Sequence, residues 1–222
     1  MSKPHERGQA ALEQLIIQNI PRDAFMALED AYFSGDQRCI RYAMLFDKGH
    51  RASGAGHNRH FFNNETFREA LETHGASPSP LCGSKVVTGR IGKFNIARLN
   101  VPGHKWVNLK TSKSRRLLAE ANTAIERVHG QGDLFDDKRP ITEGTIFVLG
   151  VMDGLDADTG VAKLTQVMIA LPAPNMKSWL YCQPIKKILA LYEQSANIAQ
   201  LDNAVPKLKA QPKKQTGNDQ GN

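Results

Sequence analysis

Two runs of residues, SKVVTGRI and FNIARLNV, meet at Gly92-Lys93, and that junction limits the fold more than any other stretch. A two-residue, glycine-containing connection between such runs is the signature of a tight β-hairpin. Pairing Ile91 with Phe94 sets the register. It places Val87, Gly89, Ile91, Phe94 and Ile96 on one face, predicted to be core. Val86, Thr88, Arg90, Asn95, Ala97 and Leu99 fall on the other face, which is mixed.

Upstream of the hairpin the period is helical. GQAALEQLIIQN carries Ala11, Leu12, Leu15 and Ile16 at helical spacing, and Pro21 can open a second helix over PRDAFMALEDAYF. QRCIRYAMLF reads as a third. DKGHRASGAGHNRH reads as a loop rich in glycine and histidine. NNETFREALETHG reads as a short helix, with an asparagine cap and Gly75 placed to end it. ASPSPLCG is a linker by its prolines.

Downstream, LLAEANTAIERV is predicted to be a helix with Leu117, Ala121, Ile125 and Val128 as its buried stripe and Gly130 as its stop. GTIFVLGVMDG and VAKLTQVMIAL form a second strand pair around LDADTG, where Asp153, Asp156 and Asp158 serve the turn rather than a calcium loop. NMKSWLY and PIKKILALYEQS then read as short amphipathic helices. The expected fold class is α+β: N-terminal helices, an antiparallel sheet of two hairpins with an intervening helix, C-terminal helices and a disordered tail. Residues 1–75 form the helical region, 76–202 the basic α+β region continuous with it, and 203–222 the basic tail.

A composition of 41% apolar and 23% charged residues is that of a globular protein. Cys39, Cys82 and Cys182 are scattered, with no CxxC pair, which points to free thiols and a reducing compartment. No apolar run suits a signal peptide or a membrane span, so the expected location is cytoplasmic, with no membrane partner.

The charge is unevenly placed. No acidic residue occurs between Glu72 and Glu120, while residues 84–116 hold nine cations. Taking nine from the net +7 leaves −2 for the rest of the chain. The segment HKWVNLKTSKSRR puts Lys110, Lys113, Arg115 and Arg116 at a helix start, where the macrodipole favours anions. Thr111, Ser112 and Ser114 add hydroxyl donors, and Lys105 adds charge. His104 and Trp106 add rings, and Arg90, Lys93 and Arg98 extend the basic surface along the hairpin. Such a cluster suits a nucleic-acid backbone.

Gln131-Gly132-Asp133-Leu134-Phe135 resembles the short peptide by which many bacterial replication and repair proteins bind the sliding clamp. The resemblance implies that Leu134 and Phe135 fill an apolar pocket, Gln131 bonds at its rim, and the polyanion is DNA. It also implies a bacterial replication, repair, plasmid or phage setting. Gly132 departs from the leucine often found at the second position.

His50, His57 and His60 form the candidate catalytic or metal-binding group, since three histidines on a loop suit acid–base or metal chemistry. Their spacing matches no zinc signature, and no phosphate loop, GxSxG elbow or nuclease carboxylate pattern is present. No cofactor is expected. The leading reading is a DNA-binding protein. The alternatives are a hydrolase or nuclease-like enzyme built on the histidines, and a regulatory protein meeting an acidic partner.

Overall fold

The computed structural model describes residues 4–103, 112–131 and 141–193, with the backbone alone for 4–7 and 128–131. Helices α1 (Pro4–Asn19), α2 (Arg22–Ala43) and α3 (Arg51–Thr73) precede strands β1 (Thr88–Ile91) and β2 (Phe94–Pro102). Helices α4 (Lys113–Glu120) and α5 (Thr123–Gln131) follow, then β3 (Gly144–Leu155), β4 (Ala162–Pro172) and β5 (Trp179–Pro184). A last helix, α6, covers residues 185–193.

The α+β class holds. The hairpin pairs as expected, with Ile91 opposite Phe94, and Gly92 takes the positive φ of 56° that the turn requires. Helix α3 ends on Gly75 at φ 73°, with Ala76 N–H donating back to the Leu71 carbonyl at 3.0 Å, a Schellman closure.

The sheet differs from two separate antiparallel hairpins. Its five strands run in the order β1-β2-β3-β4-β5, and the central pair, β2 with β3, is parallel. A parallel pair needs a crossover, which α4 and α5 supply. Both strands are buried over most of their length on both faces, as interior parallel strands are. NMKSWLY supplies no helix; Trp179–Pro184 is strand β5, pairing antiparallel with β4.

One face carries Phe94, Ile96, Ile146, Val148 and Ile169. It packs against Ile16 of α1, Phe25, Leu28 and Tyr32 of α2, Phe67 and Leu71 of α3, and Ile185 and Ile188 of α6. Burying each of these larger side chains contributes roughly 2 kcal/mol. The other face carries Ala97, Leu99, Val101, Phe147, Leu149 and Ala170, with Leu118 of α4 packed on it.

The helix expected over LLAEANTAIERV is broken. Helix α4 stops at Glu120, and the buried Asn122 donates to the Thr145 carbonyl at 3.0 Å and the Pro172 carbonyl at 2.8 Å. Leu118 packs on one sheet face and Ile125 in the core of the other. The chain therefore changes faces at Asn122, beneath the strand ends. The break rotates the stripe: Leu117 is 57% exposed, Ala119 is buried instead, and α5 runs through Gly130.

Candidate nucleic-acid interface

Seven of the nine cations of the basic segment fall among the described residues. Lys85, Arg90, Lys93, Lys113 and Arg116 are exposed and Arg115 is half-buried. Burial pulls the Arg115 guanidinium below its ordinary pKa. Among the described residues none of the seven pairs with a carboxylate. Arg90 is tied to backbone, donating to the Gly92 carbonyl at 3.2 Å and the Thr142 carbonyl at 3.3 Å, with its charge still facing solvent.

Ser112 is the N-cap of α4, in extended backbone, and its side chain makes no capping hydrogen bond. No carboxylate stands in the first turn, which instead holds Lys113, Arg115 and Arg116. The N–H groups of a helix's first turn and these cations favour the same kind of ligand, an anion. His104, Lys105, Trp106, Lys110 and Thr111 lie outside the described residues. So do Leu134 and Phe135 of the clamp-like pentapeptide and the tail 203–222. Gln131 is the last residue of α5.

Arg98 is not part of this surface. It is 2% exposed, because strand alternation turns it inward with Phe94 and Ile96. Its Nε donates to Asn64 Oδ1 at 2.9 Å, and its Nη2 reaches the His60 carbonyl at 2.5 Å and His60 Nδ1 at 3.2 Å. Asn64 Nδ2 in turn donates to the Lys85 carbonyl at 2.9 Å. Tyr32 lies close enough for Arg98 to lower its phenol pKa, but burial dominates and pushes Tyr32 up to about 12. Arg98 is thus a buried cation held by neutral acceptors, pinning α3 to β2. A phosphate outside the protein does not reach it.

The histidines are not on a loop. His50 ends a 3-10 turn at Lys48–His50, and His57 and His60 lie on α3, which begins at Arg51. The helix persists through Ser53, Gly54 and Gly56, anchored on α2 by Ala55, which is buried and whose carbonyl accepts from Cys39 Sγ at 3.2 Å. Asn63 and Asn64, expected as a helix cap, are buried in mid-helix. His57 Nδ1 lies 2.9 Å from the Ser53 carbonyl of its own helix. His60 turns toward Arg98, and burial and then the guanidinium charge lower its pKa. Among the described residues no three His, Cys, Asp or Glu side chains converge as metal ligands would.

The Asp-rich connection is a turn. Asp156 accepts from Thr159 N–H at 2.9 Å and Oγ1 at 3.0 Å and from Asp158 N–H at 3.1 Å, which holds its carboxyl below the usual range. The three cysteines are free thiols. Among the described residues no helix is long and apolar enough to cross a membrane.

A second group of cations lies outside the basic segment. Arg41, Lys48 and Arg51 stand at the α2–α3 tip among Tyr42, Met44, Leu45 and Phe46, whose exposure breaks the pattern of a core helix. The signal was there as aromatic residues interleaved with cations in RYAMLFDKGHR.

No protein-family model, no curated protein and no solved structure significantly matches this chain.

Proposed function

We propose that this chain binds nucleic acid through the phosphate backbone, using the cations along the β1–β2 edge and at the start of α4. The observation that carries the reading is the set of exposed cations Lys85, Arg90, Lys93, Lys113 and Arg116, none offset by a described carboxylate, in a stretch without any acid between Glu72 and Glu120. Uncompensated cations at the surface are stabilised by a polyanion that releases its counterions on binding. The N-terminus of α4, uncapped by the Ser112 side chain, adds backbone donors suited to an anion. Ser112 and Ser114 supply hydroxyls that bond phosphate without reading sequence. Arg98 is left out, and the surface is smaller than the cation count suggests.

Within this reading DNA is preferred to RNA, on the strength of the clamp-like pentapeptide Gln131–Phe135. Replication, repair or the upkeep of a mobile element is the corresponding setting, with the sliding clamp as partner.

Fluorescence anisotropy with short duplex DNA, single-stranded DNA and RNA at about 50 and 200 mM salt tests the reading. Several phosphate contacts imply an affinity loss on the order of a thousandfold over that range. The Arg115→Glu/Arg116→Glu double variant should abolish binding while keeping the fold, because Arg116 is exposed and Arg115 only half-buried. Absence of binding to all three probes at the lower salt sinks the proposal.

A further inference from the structure

The turn joining α2 to α3 leaves every residue from Met44 to His50 exposed, and three of them are apolar: Met44, Leu45 at 78% exposure, and Phe46. Beneath the turn runs a ladder of rings. Arg38 lies over the Phe62 ring at 5.0 Å, Phe62 meets Tyr42 edge-on at 5.8 Å, and Tyr42 meets Phe46 edge-on at 5.7 Å. Phe46 is seated on the helix backbone at Gly54, where a Cβ would come within 2.7 Å of its Cε2. Tyr42 is 42% exposed and Phe46 37%. These are oriented aromatic surfaces left open to water rather than a fraying end.

The rim of this surface is positive. Arg41 and Lys48 are exposed, and Arg51 is held beside Phe46 by donating from Nε to its carbonyl at 3.2 Å. Asp47 is the one acid in the turn itself, Glu65 is already taken by Arg38 at 2.6 Å, and the acidic β3–β4 connection with Asp156 and Asp158 adjoins the tip where Val161 packs with Ala43 and Ala55. Within the turn Arg41, Lys48 and Arg51 outnumber Asp47, so its charge complement is an anion, and its apolar complement is something flat.

We propose that the α2–α3 tip is a stacking platform for single-stranded nucleic acid, with bases on Tyr42 and Phe46 and phosphates on Arg41, Lys48 and Arg51. The inference rests on the nucleic-acid reading above and adds strand type to it. Unpaired bases offer open π-faces, whereas in a duplex those faces are occupied by their neighbours.

The test uses the full chain and a fluorescent oligothymidylate of about 15 nucleotides, within the span of known single-strand sites, beside a duplex of equal length. Phe46→Ala and Tyr42→Ala should each weaken oligothymidylate binding about tenfold or more and leave duplex binding unchanged. Leu45→Ala, at a site too exposed to affect folding, and a circular-dichroism melt of each variant separate binding loss from unfolding. Lys48→Glu should lower the salt dependence of single-strand binding. If the tip variants bind like wild type while Arg115→Glu/Arg116→Glu abolishes binding, the tip inference falls and the α4 reading stands. If the tip variants lose binding and the α4 variant does not, the reverse holds. No binding of either probe overturns both. Tip substitutions that alter self-association or capture by anionic vesicles, but not oligothymidylate affinity, assign the surface to another partner and overturn the proposal.

Discussion

Arg98 and Asn64 are joined by a hydrogen bond of 2.9 Å from the guanidinium Nε to the amide Oδ1, linking the middle of β2 to the middle of α3 beneath the surface. Asn64 uses its other end on the Lys85 carbonyl, so a single amide couples helix, strand and the chain entering β1. No carboxylate among the described residues balances the buried cation. Each neutral acceptor therefore matters more than it would in a salt bridge. Arg98→Met should cost roughly 2–4 kcal/mol, because it leaves buried acceptors without a donor. Asn64→Leu should cost at least as much, since it strands the charge itself. Urea denaturation reads both. At a temperature where Arg98→Met remains folded, its oligonucleotide affinity should match wild type, unlike Arg115→Glu/Arg116→Glu.

His60 makes the same junction sensitive to acid. Burial and then the Arg98 charge hold its pKa below the ordinary 6.5, so the folded protein binds its proton less readily than the unfolded chain does. The sign follows: the stabilisation is complete above about pH 6.5 and is lost as pH falls toward the lower folded-state value. Melting temperature should therefore drop between about pH 7 and pH 5, and His60→Gln should flatten that part of the profile. A slope unchanged by His60→Gln would assign it to other groups.

Much of this architecture is written locally, and the rest depends on contacts distant in sequence. The β1–β2 register could be read from Ile91 and Phe94, because alternation and a tight turn leave one solution. The same alternation carries Arg98 inward after Phe94 and Ile96, yet charge alone argues for the surface. The deciding fact is Asn64, 34 residues away. Gly54 and Gly56 look like loop residues by propensity. They lie in a helix that is anchored on α2 through its neighbour Ala55, whose carbonyl accepts from Cys39 Sγ, and the two helices approach closely at Gly35, where a Cβ would come within 2.3 Å of Asn63 Oδ1. Strand β5 has no clear period of its own and is defined by the edge of β4 that it completes. The basic segment was legible by counting, but which of its cations face solvent was not.

Tyr32 and Gly150 show how closely α2 is seated on the sheet. A Cβ at Gly150 would come within 2.5 Å of Tyr32 Cε1, and the Tyr32 hydroxyl reaches the Leu99 carbonyl at 2.9 Å and the Val148 carbonyl at 2.7 Å. Gly150→Ala should cost about 1–3 kcal/mol through overpacking. Tyr32→Phe should cost about 1–2 kcal/mol through the lost hydroxyl. Because the clash is with the ring and not the hydroxyl, Tyr32→Phe should fail to rescue Gly150→Ala, while Tyr32→Leu should rescue part of it. A double-mutant cycle in denaturant that is strictly additive for Tyr32→Leu with Gly150→Ala would refute the contact.

Asn122 is the hinge of the crossover, and its three hydrogen bonds differ in kind. Its Nδ2 donates to the Thr145 and Pro172 carbonyls, and its Oδ1 accepts from Thr145 N–H at 2.6 Å. Asn122→Ala removes all three inside a fully buried site and should cost roughly 3 kcal/mol or more. Asn122→Asp separates the donor role from the acceptor role. The carboxylate can still accept from Thr145 N–H, but it faces two carbonyls it cannot serve, and burial raises its pKa. Protonation restores a donor. The Asn122→Asp deficit relative to wild type should therefore be largest near neutrality and should shrink as pH falls toward about 4, below which the carboxyl is protonated in both states. Denaturation of the two proteins in parallel across that range reads the difference. A deficit independent of pH would mean that the donor bonds to Thr145 and Pro172 contribute little and that the acceptor bond alone holds the turn between α4 and α5.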